Sequence, residues 1–583
     1  FVESEKYFRR ALERQNNHNT NPVSGFPSYH LGLSLEKQGK YAEAYDAFYK
    51  ATWSADTKSV SFVAMAKIKI RENDLDNALK FINQALLFNY NDLTARAIKA
   101  HILILMKSDQ AEKLLKDSLE IDNSASAVLF EYSKINPDYL DTLKHFIDTR
   151  LNDVLDLVQL YLKTGQYADA LSALNIYKDD NPLKSYYESY IYSKLDSQEQ
   201  VLASAKLGAS LSPDYIFPNR LFDVIILEYI QNINPKDGLA PYYLGNLYYD
   251  RRIYQKAQAL WEKSVKLDPD YAMSYRNLSI VYYNKTNQPK KALEYLEKAF
   301  KLDPKNARLV FELDSLYQKM NHSLTDRLAF LEKHLDLVEQ RDDSYIQLVT
   351  LLNETGRYKE AYQKLMDRIF HPWEGGEGKV SSQYEYALVE LAKQDIANEN
   401  YTTAIEKLNR ALVYPRSLGE GKLPTANNNV IDFYLGYAYK QINDTQQANE
   451  HLRLATQGLE KPSSAMYYND QPSDTIFYQG LAFEQLGQTK EANGKFHALI
   501  SYGEKHIFDN FEMDYFAVSL PDALLFKDDH KSLNVIDCYY LIALGYLGLN
   551  QVDKAHTMMD KITELTNNHQ GMLRHCSFKK FSL

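Results

Sequence analysis

Ala44 returns as Ala78 and Ala51 as Ala85, a period of 34 residues. A period of this size describes one helix-turn-helix unit that cannot bury its apolar face alone and must stack on copies of itself. With 583 residues, the chain is too long for one compact core, so a stacked array resolves both facts. The residue types around the period fit a helical hairpin. Leu31 and Gly32 precede Gly39, Tyr41, Ala44, Phe48 and Ala51. Ala44 and Ala51 stand about two helical turns apart and share one face. Small residues sit where helices approach most closely, and Phe48 fills the space between them.

The most regular copies lie mid-chain. Leu244, Gly245, Tyr248, Tyr254, Ala257, Trp261 and Pro269 are followed by Leu278, Tyr282, Ala292, Leu296, Ala299 and Pro304. The prolines mark helix ends. On these residues the sequence resembles the tetratricopeptide repeat family over most of its length. The resemblance implies an all-α fold, an α-solenoid of helical hairpins wound as a right-handed superhelix, whose concave face binds protein segments. Further copies are marked by Gly165, Tyr167, Ala170 and Leu174; by Gly356, Tyr358, Ala361 and Leu365; and by Tyr401, Ala404, Leu408 and Ala411. Gly436 with Ala448, Leu452 and Ala455, then Gly480, Gly487, Ala492 and Phe496, then Ala543, Ala555 and Met559 complete the series. Asp109–Leu151 and Ser189–Ile233 read as helical without a clear phase. Phe8 and Ala11 match Phe48 and Ala51, so the first hairpin is expected to begin inside its second helix, as the C-terminal part of a larger protein would. Three regions are expected: N-terminal hairpins over 1–150, central hairpins over 151–320, and a C-terminal variant over 321–583.

The variant has a longer period. Tyr358 pairs with Tyr401, Ala361 with Ala404 and Gly376 with Gly419, each 43 residues on. The added residues form two matched loops, His371-Pro-Trp-Glu-Gly-Gly-Glu-Gly-Lys-Val380 and Tyr414-Pro-Arg-Ser-Leu-Gly-Glu-Gly-Lys-Leu423. Dense glycine opens backbone angles closed to other residues and lets a neighbour approach closely. His371, Trp373, Glu374, Glu377 and Glu420 are the candidate loop residues: an indole offers a flat apolar face, and carboxylates accept hydrogen bonds from hydroxyls. The loops equally suit covering the array edge or docking an upstream domain. They are not phosphate loops, being acidic and lacking Gly-Lys-Ser/Thr. Two further loops, Gly458–Ser473 and Phe511–His530, also interrupt the stacking. From His371 onward the first matched loop, Ser519-Leu-Pro-Asp522 and Asn568-His-Gln-Gly571 are similar to one family of bacterial proteins. Its members carry a β-rich N-terminal domain of unknown function ahead of a tetratricopeptide array. That resemblance implies a bacterial source and a link to carbohydrate metabolism.

Little points to chemistry in the chain itself. A net charge of −10 argues against nucleic acid, which needs clustered cations. Two cysteines, Cys538 and Cys576, exclude a disulfide framework and favour a reducing compartment such as the cytoplasm, without fixing one. No apolar run is long enough to span a bilayer. The 14 histidines are scattered without metal-ligand spacing, no nucleophile elbow is present, and Cys538 lies in an apolar helix. No catalytic residue, metal or cofactor is assigned. Glu374 and Glu377 are the carboxylate pair nearest to acid–base spacing, yet loop carboxylates are ordinarily solvated. Residues 572–583 read as a loose polar tail. The concave-face candidates are Tyr242, Asn246, Tyr249, Arg276, Asn277 and Tyr283. The sequence therefore reads as a non-catalytic scaffold for a protein segment or its own upstream domain. The alternative is a helical module of a carbohydrate-active protein, with the Gly-Glu-Gly-Lys loops bordering a glycan.

Overall fold

Each hairpin is built around one small-to-large contact. A Cβ placed on Gly245 would lie 2.4 Å from the Trp261 indole nitrogen, so only glycine lets helix Leu239–Asp250 close on Tyr254–Leu267. The same spacing recurs as Gly32 on Phe48 (2.6 Å), Gly436 on Leu452 (2.6 Å) and Gly480 on Phe496 (2.4 Å). The turn inside most hairpins holds one left-handed residue. Glycine supplies it at Gly39, Gly165, Gly356 and Gly487, asparagine at Asn73, Asn287, Asn321, Asn443 and Asn550, and Lys107, Asp196, Arg252 and Glu399 take the same conformation in other hairpins. The alanines predicted from the period, including Ala44, Ala51, Ala78, Ala85, Ala257, Ala292 and Ala299, are fully buried.

The computed structural model describes residues 1–17, 19, 22–373, 375–463, 470–510, 525–576 and 578. Among these the regular structure is helical, 32 α-helices and one short 3-10 turn, and no strand is present. The expected all-α solenoid of hairpins is what forms. The stretches without sequence phase resolve into helices Gln110–Leu119, Ser126–Ser133 and Asp138–Ile147, and into Pro182–Lys194, Gln198–Ser210 and Leu221–Ile233.

The chain divides into two compact units, Phe1–Pro269 and Asp270–Leu583. In the first, helix Lys58–Arg71 meets Leu151–Thr164, so hairpins distant in sequence close on one another. In the second, one continuous core runs from Val310 to Met572. The first helices of its hairpins are Ala272–Asn284, Ala307–Lys319, Asp342–Glu354, Lys379–Ala397, Asn429–Gln441, Thr475–Gln485 and His530–Gly548. The last helix of the unit, Gln570–His575, packs on both Asp342–Glu354 and His530–Gly548.

Candidate functional site

The two matched loops are interlocked. The Phe370 amide donates to the Ser417 carbonyl (2.8 Å). A Cβ on Gly419, which holds φ +76°, would stand 2.7 Å from the Phe370 carbonyl oxygen, so glycine is required there by angle and by space. Glu420 then reaches back to the first loop. Its carboxylate accepts from the Gly378 amide (2.8 Å) and the Ser381 hydroxyl (2.6 Å). These are donors at the start of helix Lys379–Ala397, and that helix has no cap from its own chain neighbours. One loop thus caps the helix entered from the other. Lys422 donates to Glu385 (2.7 Å), which also accepts from the Tyr414 hydroxyl (2.6 Å). The duplicated Gly-Glu-Gly-Lys sequence has two fates: Glu420 and Lys422 are bonded into the fold, whereas Glu377 and Lys379 are exposed.

Beside these loops lies a cavity of about 830 Å³. Trp373, Glu377 and Glu420 line it, joined by Ser381, Glu385, Tyr386, Tyr414, Asn427, Asn428, Asp470, Asp474, Gln570 and Arg574. The Trp373 ring lies across Gly376, whose added Cβ would approach it to 2.1 Å. Burial and the Glu385 charge push the Tyr414 phenol far above its ordinary value, and burial does the same at Tyr386. Both therefore stay protonated as hydrogen-bond donors. Asp474 is raised by burial, against the pull of Arg574 and a hydrogen bond from Tyr540 (3.2 Å). The lining thus combines aromatic faces, carboxylates and side-chain amides, which suits a ligand rich in hydroxyl or amide donors. His371 is not part of it: its side chain is 82% exposed and its amide and ring engage Asp342 on the preceding hairpin. Glu374 lies outside the described residues, as do Ser519–Asp522, Tyr467 and Tyr468.

The inner face of the second unit is lined by the chain's own C-terminal segment. Asn284 holds a backbone between its amide atoms, donating to the Leu525 carbonyl and accepting from the Lys527 amide, both at 2.9 Å. The Tyr283 ring meets Phe526 edge-on at 5.1 Å, and Lys319 pairs with Asp528. Asn321 bonds the Asn567 amide (2.8 Å), and Arg327 bonds Asn568 (2.7 Å) while forking onto Asp314. Gln383 meets Gln570, and Arg574 reaches Glu390 (2.9 Å). A Cβ on Gly571 would lie 2.6 Å from Tyr540. His575 is buried; its Nδ1 donates to the Gly571 carbonyl (2.7 Å) and its Nε2 accepts from Tyr478 (2.8 Å). Burial holds its pKa down to about 3, so it is neutral. The expectation of a loose tail from residue 572 is therefore corrected: Met572, Arg574 and His575 are packed into the array, and Asn568-His-Gln-Gly571 is the stretch that seats them.

The concave-face candidates fall in both units. In the first, Asn246 accepts from the Trp261 indole (3.1 Å), Tyr249 packs on Trp261 and Tyr254, and Tyr242 is buried. In the second, Arg276 binds the buried Glu312 carboxylate through two nitrogens and also the Asn277 side chain. Burial pushes the Cys538 thiol up to about 11, which fits a core residue. Among the described residues no helix is long and apolar enough to cross a membrane.

The family model of the tetratricopeptide repeat matches residues 241–305. Those residues are similar to tetratricopeptide repeats. Three solved structures give the likeness at greater length. The crystal structure of the Cut9-Hcn1 hetero-tetramer of APC/C is 15% identical, over 98% of this chain and 96% of that one, with a TM-score of 0.24. The tetratricopeptide domain of P58(IPK) is 12% identical over 83% of this chain and 98% of that one, at 0.23. YrrB, described as a tetratricopeptide protein with an unusual peptide-binding site, is 16% identical over 45% and 94%, at 0.15. These scores are too low for a shared whole-chain arrangement. The repeat assignment rests on the matched residues and on the hairpin packing.

Proposed function

We propose that this chain is a non-catalytic interaction scaffold that receives a protein segment at the loop-lined cavity of its second unit. The observation that carries the reading is the contrast inside that unit. Its inner face is lined by the chain's own residues 525–528 and 567–575, while the cavity beside the duplicated loops, where Gln570 and Arg574 of that segment form part of the wall, keeps an open volume of about 830 Å³ bordered by polar groups and an indole among the described residues. In this reading Trp373, Glu377 and Glu420 border the partner, and His371 stands outside the cavity. Tyr242, Asn246 and Tyr249 form a further contact surface in the first unit, and Arg276, Asn277 and Tyr283 hold the inner face of the second in shape. The same reading keeps three regions, N-terminal hairpins over 1–150, central hairpins over 151–320 and the 43–44-residue variant over 321–583. The narrower resemblance extends the reading to a bacterial protein whose upstream β-rich domain docks on these loops.

A second reading is favoured by the lining itself. Trp373 beside carboxylates and the amides of Asn427 and Asn428 is a chemistry that holds sugar hydroxyls, so the alternative occupant is a glycan. One experiment separates them: peptide and glycan arrays probed with the parent chain and with Trp373→Ala. A peptide signal lost in the variant supports the scaffold reading; a glycan signal lost in the variant replaces it with the glycan reading. Binding that Trp373→Ala leaves intact removes the cavity from both.

A further inference from the structure

In the first unit, the first helices of several hairpins end on cations. Lys37 follows helix Phe26–Glu36, Arg71 ends Lys58–Arg71, and Lys163 lies in the last turn of Leu151–Thr164. Lys37 and Arg71 hold the same place in successive repeats, and Lys67 lies one turn before Arg71 on the same helix face. Arg71 ties the surrounding helices together, donating to the Leu162 carbonyl (2.7 Å) and the Tyr167 hydroxyl (3.0 Å). The walls are aromatic. The Lys37 ammonium stands 4.6 Å over the Phe222 ring, and the Arg71 guanidinium 4.6 Å over Tyr41 and 5.8 Å over Tyr167. Tyr190 meets Phe222 edge-on at 6.1 Å.

The charges here do not balance. Glu36 is the near carboxylate, 3.9 Å from Lys37, and Asp92 acts on Lys67 only through its field. Each helix end adds about half a negative charge, which leaves the four cations in excess. The Lys37 side chain is only 8% exposed. Among the described residues Lys67 makes no hydrogen bond or ion pair, and Arg71 Nε is buried without an acceptor. Burial, opposed by Glu36 and reinforced by the Lys163 charge at both, holds the ammonium groups of Lys37 and Lys67 down to about 8. Removing such cations from water without partners is costly unless an anion joins them.

We propose that this basic, aromatic-walled cluster binds a small polyvalent oxyanion, either a polyphosphate or a cluster of carboxylates on an acidic peptide. A polyvalent ligand meets several of the cations at once, and the ring faces exclude water around the pairs, where charge-assisted bonds are strongest. Lys67 and Lys163 contact the ligand; Arg71 positions the wall and keeps its own bonds.

The test is thermal unfolding of the full chain at low ionic strength, with sodium tripolyphosphate or hexaglutamate against sodium chloride of matched ionic strength. At least one anion raises the Tm by several degrees, and which one it is tells phosphate from acidic peptide. Lys67→Met melts above the parent without anion, because a repelled charge has gone, and shows no anion increment. Lys163→Met serves the same purpose should Lys67→Met not fold, and the exposed Lys113→Met keeps the parental increment. No shift with either anion, or an increment that survives in both Lys67→Met and Lys163→Met, overturns the proposal.

Discussion

Replacing Arg574 with methionine tests whether the C-terminal segment is part of the array or an ornament on it. The Arg574 side chain is 16% exposed and its partner Glu390 only 6%. Breaking a buried pair by removing one member costs about 3–5 kcal/mol, chiefly because the remaining charge stays buried. Here Lys393 still reaches Glu390 at 2.7 Å, which lowers that figure to roughly 2–3 kcal/mol on the same scale. The guanidinium also stands 4.7 Å from the Tyr386 ring, a contact worth about 0.5–1 kcal/mol. The expected loss is about 3 kcal/mol. With a urea slope of about 3 kcal/mol/M for a unit of this size, the second transition moves down by about 1 M. Urea unfolding followed by circular dichroism measures this. Glu390→Gln combined with Arg574→Met recovers only part of the loss, since the Glu390 charge is no longer stranded but Lys393 gives up its carboxylate partner. Arg574→Met within about 0.5 kcal/mol of the parent, well inside the range of an exposed pair, would refute the reasoning.

Three further outcomes follow from the packing of the second unit. Gly419→Ala forces a side chain into φ +76° and to 2.7 Å from the Phe370 carbonyl, so it costs about 1–3 kcal/mol in thermal unfolding; a neutral result would mean the loops are not interlocked. Glu420→Ala removes the cap on helix Lys379–Ala397 and costs about 1 kcal/mol, with faster amide exchange at Gly378 and in the first turn as its local signature. Glu354 is raised to about 7 by burial, with Arg327 opposing and Asp314 reinforcing the shift. Its folded-state pKa lies above the unfolded one, so its contribution is fully favourable below about pH 4.5 and is lost as pH rises through 7. Glu354→Gln is therefore near neutral at pH 5 and more stable than the parent by about 2 kcal/mol at pH 8; equal effects at both pH values would contradict the assignment.

The hairpins were legible because their contacts are local and repeated. Gly245 with Trp261 and Gly480 with Phe496 recur at one spacing, and a periodic pattern reads such pairs directly. The duplicated loops were legible for the same reason, and Trp373, Glu377 and Glu420 do meet at one cavity. What Glu420 does there was not legible. Its partners Gly378 and Ser381 belong to the neighbouring repeat, and a capping residue supplied across a loop leaves no local signature. The C-terminal segment was misread for a related reason. Arg574 and His575 look like a polar tail in a linear reading, and only the fold brings Glu390, Tyr478 and Tyr540 to meet them. Asn284, which holds the backbone at Leu525 and Lys527, likewise has partners far away in sequence and outside any period. The basic cluster had a partial signal, since Lys37 and Arg71 occupy equivalent repeat positions, but Lys163 joins them only through closure of the unit.

In the proposed function the second unit holds its own C-terminal segment on its inner face and receives a partner at the loop-lined cavity. Hydrogen–deuterium exchange of the full chain at residues 572–576 measures this most directly. The Met572 amide is bonded to the His569 ring (2.9 Å), the Leu573 amide to the His569 carbonyl (3.1 Å) and the Cys576 amide to the Met572 carbonyl (2.8 Å). A helix this short has no stability of its own in water. Protection there comparable to that of helix Asn429–Gln441 is the result expected, falling together with the array in Arg574→Met. Exchange at the rate of an unstructured peptide, with the rest of the unit protected, would contradict it.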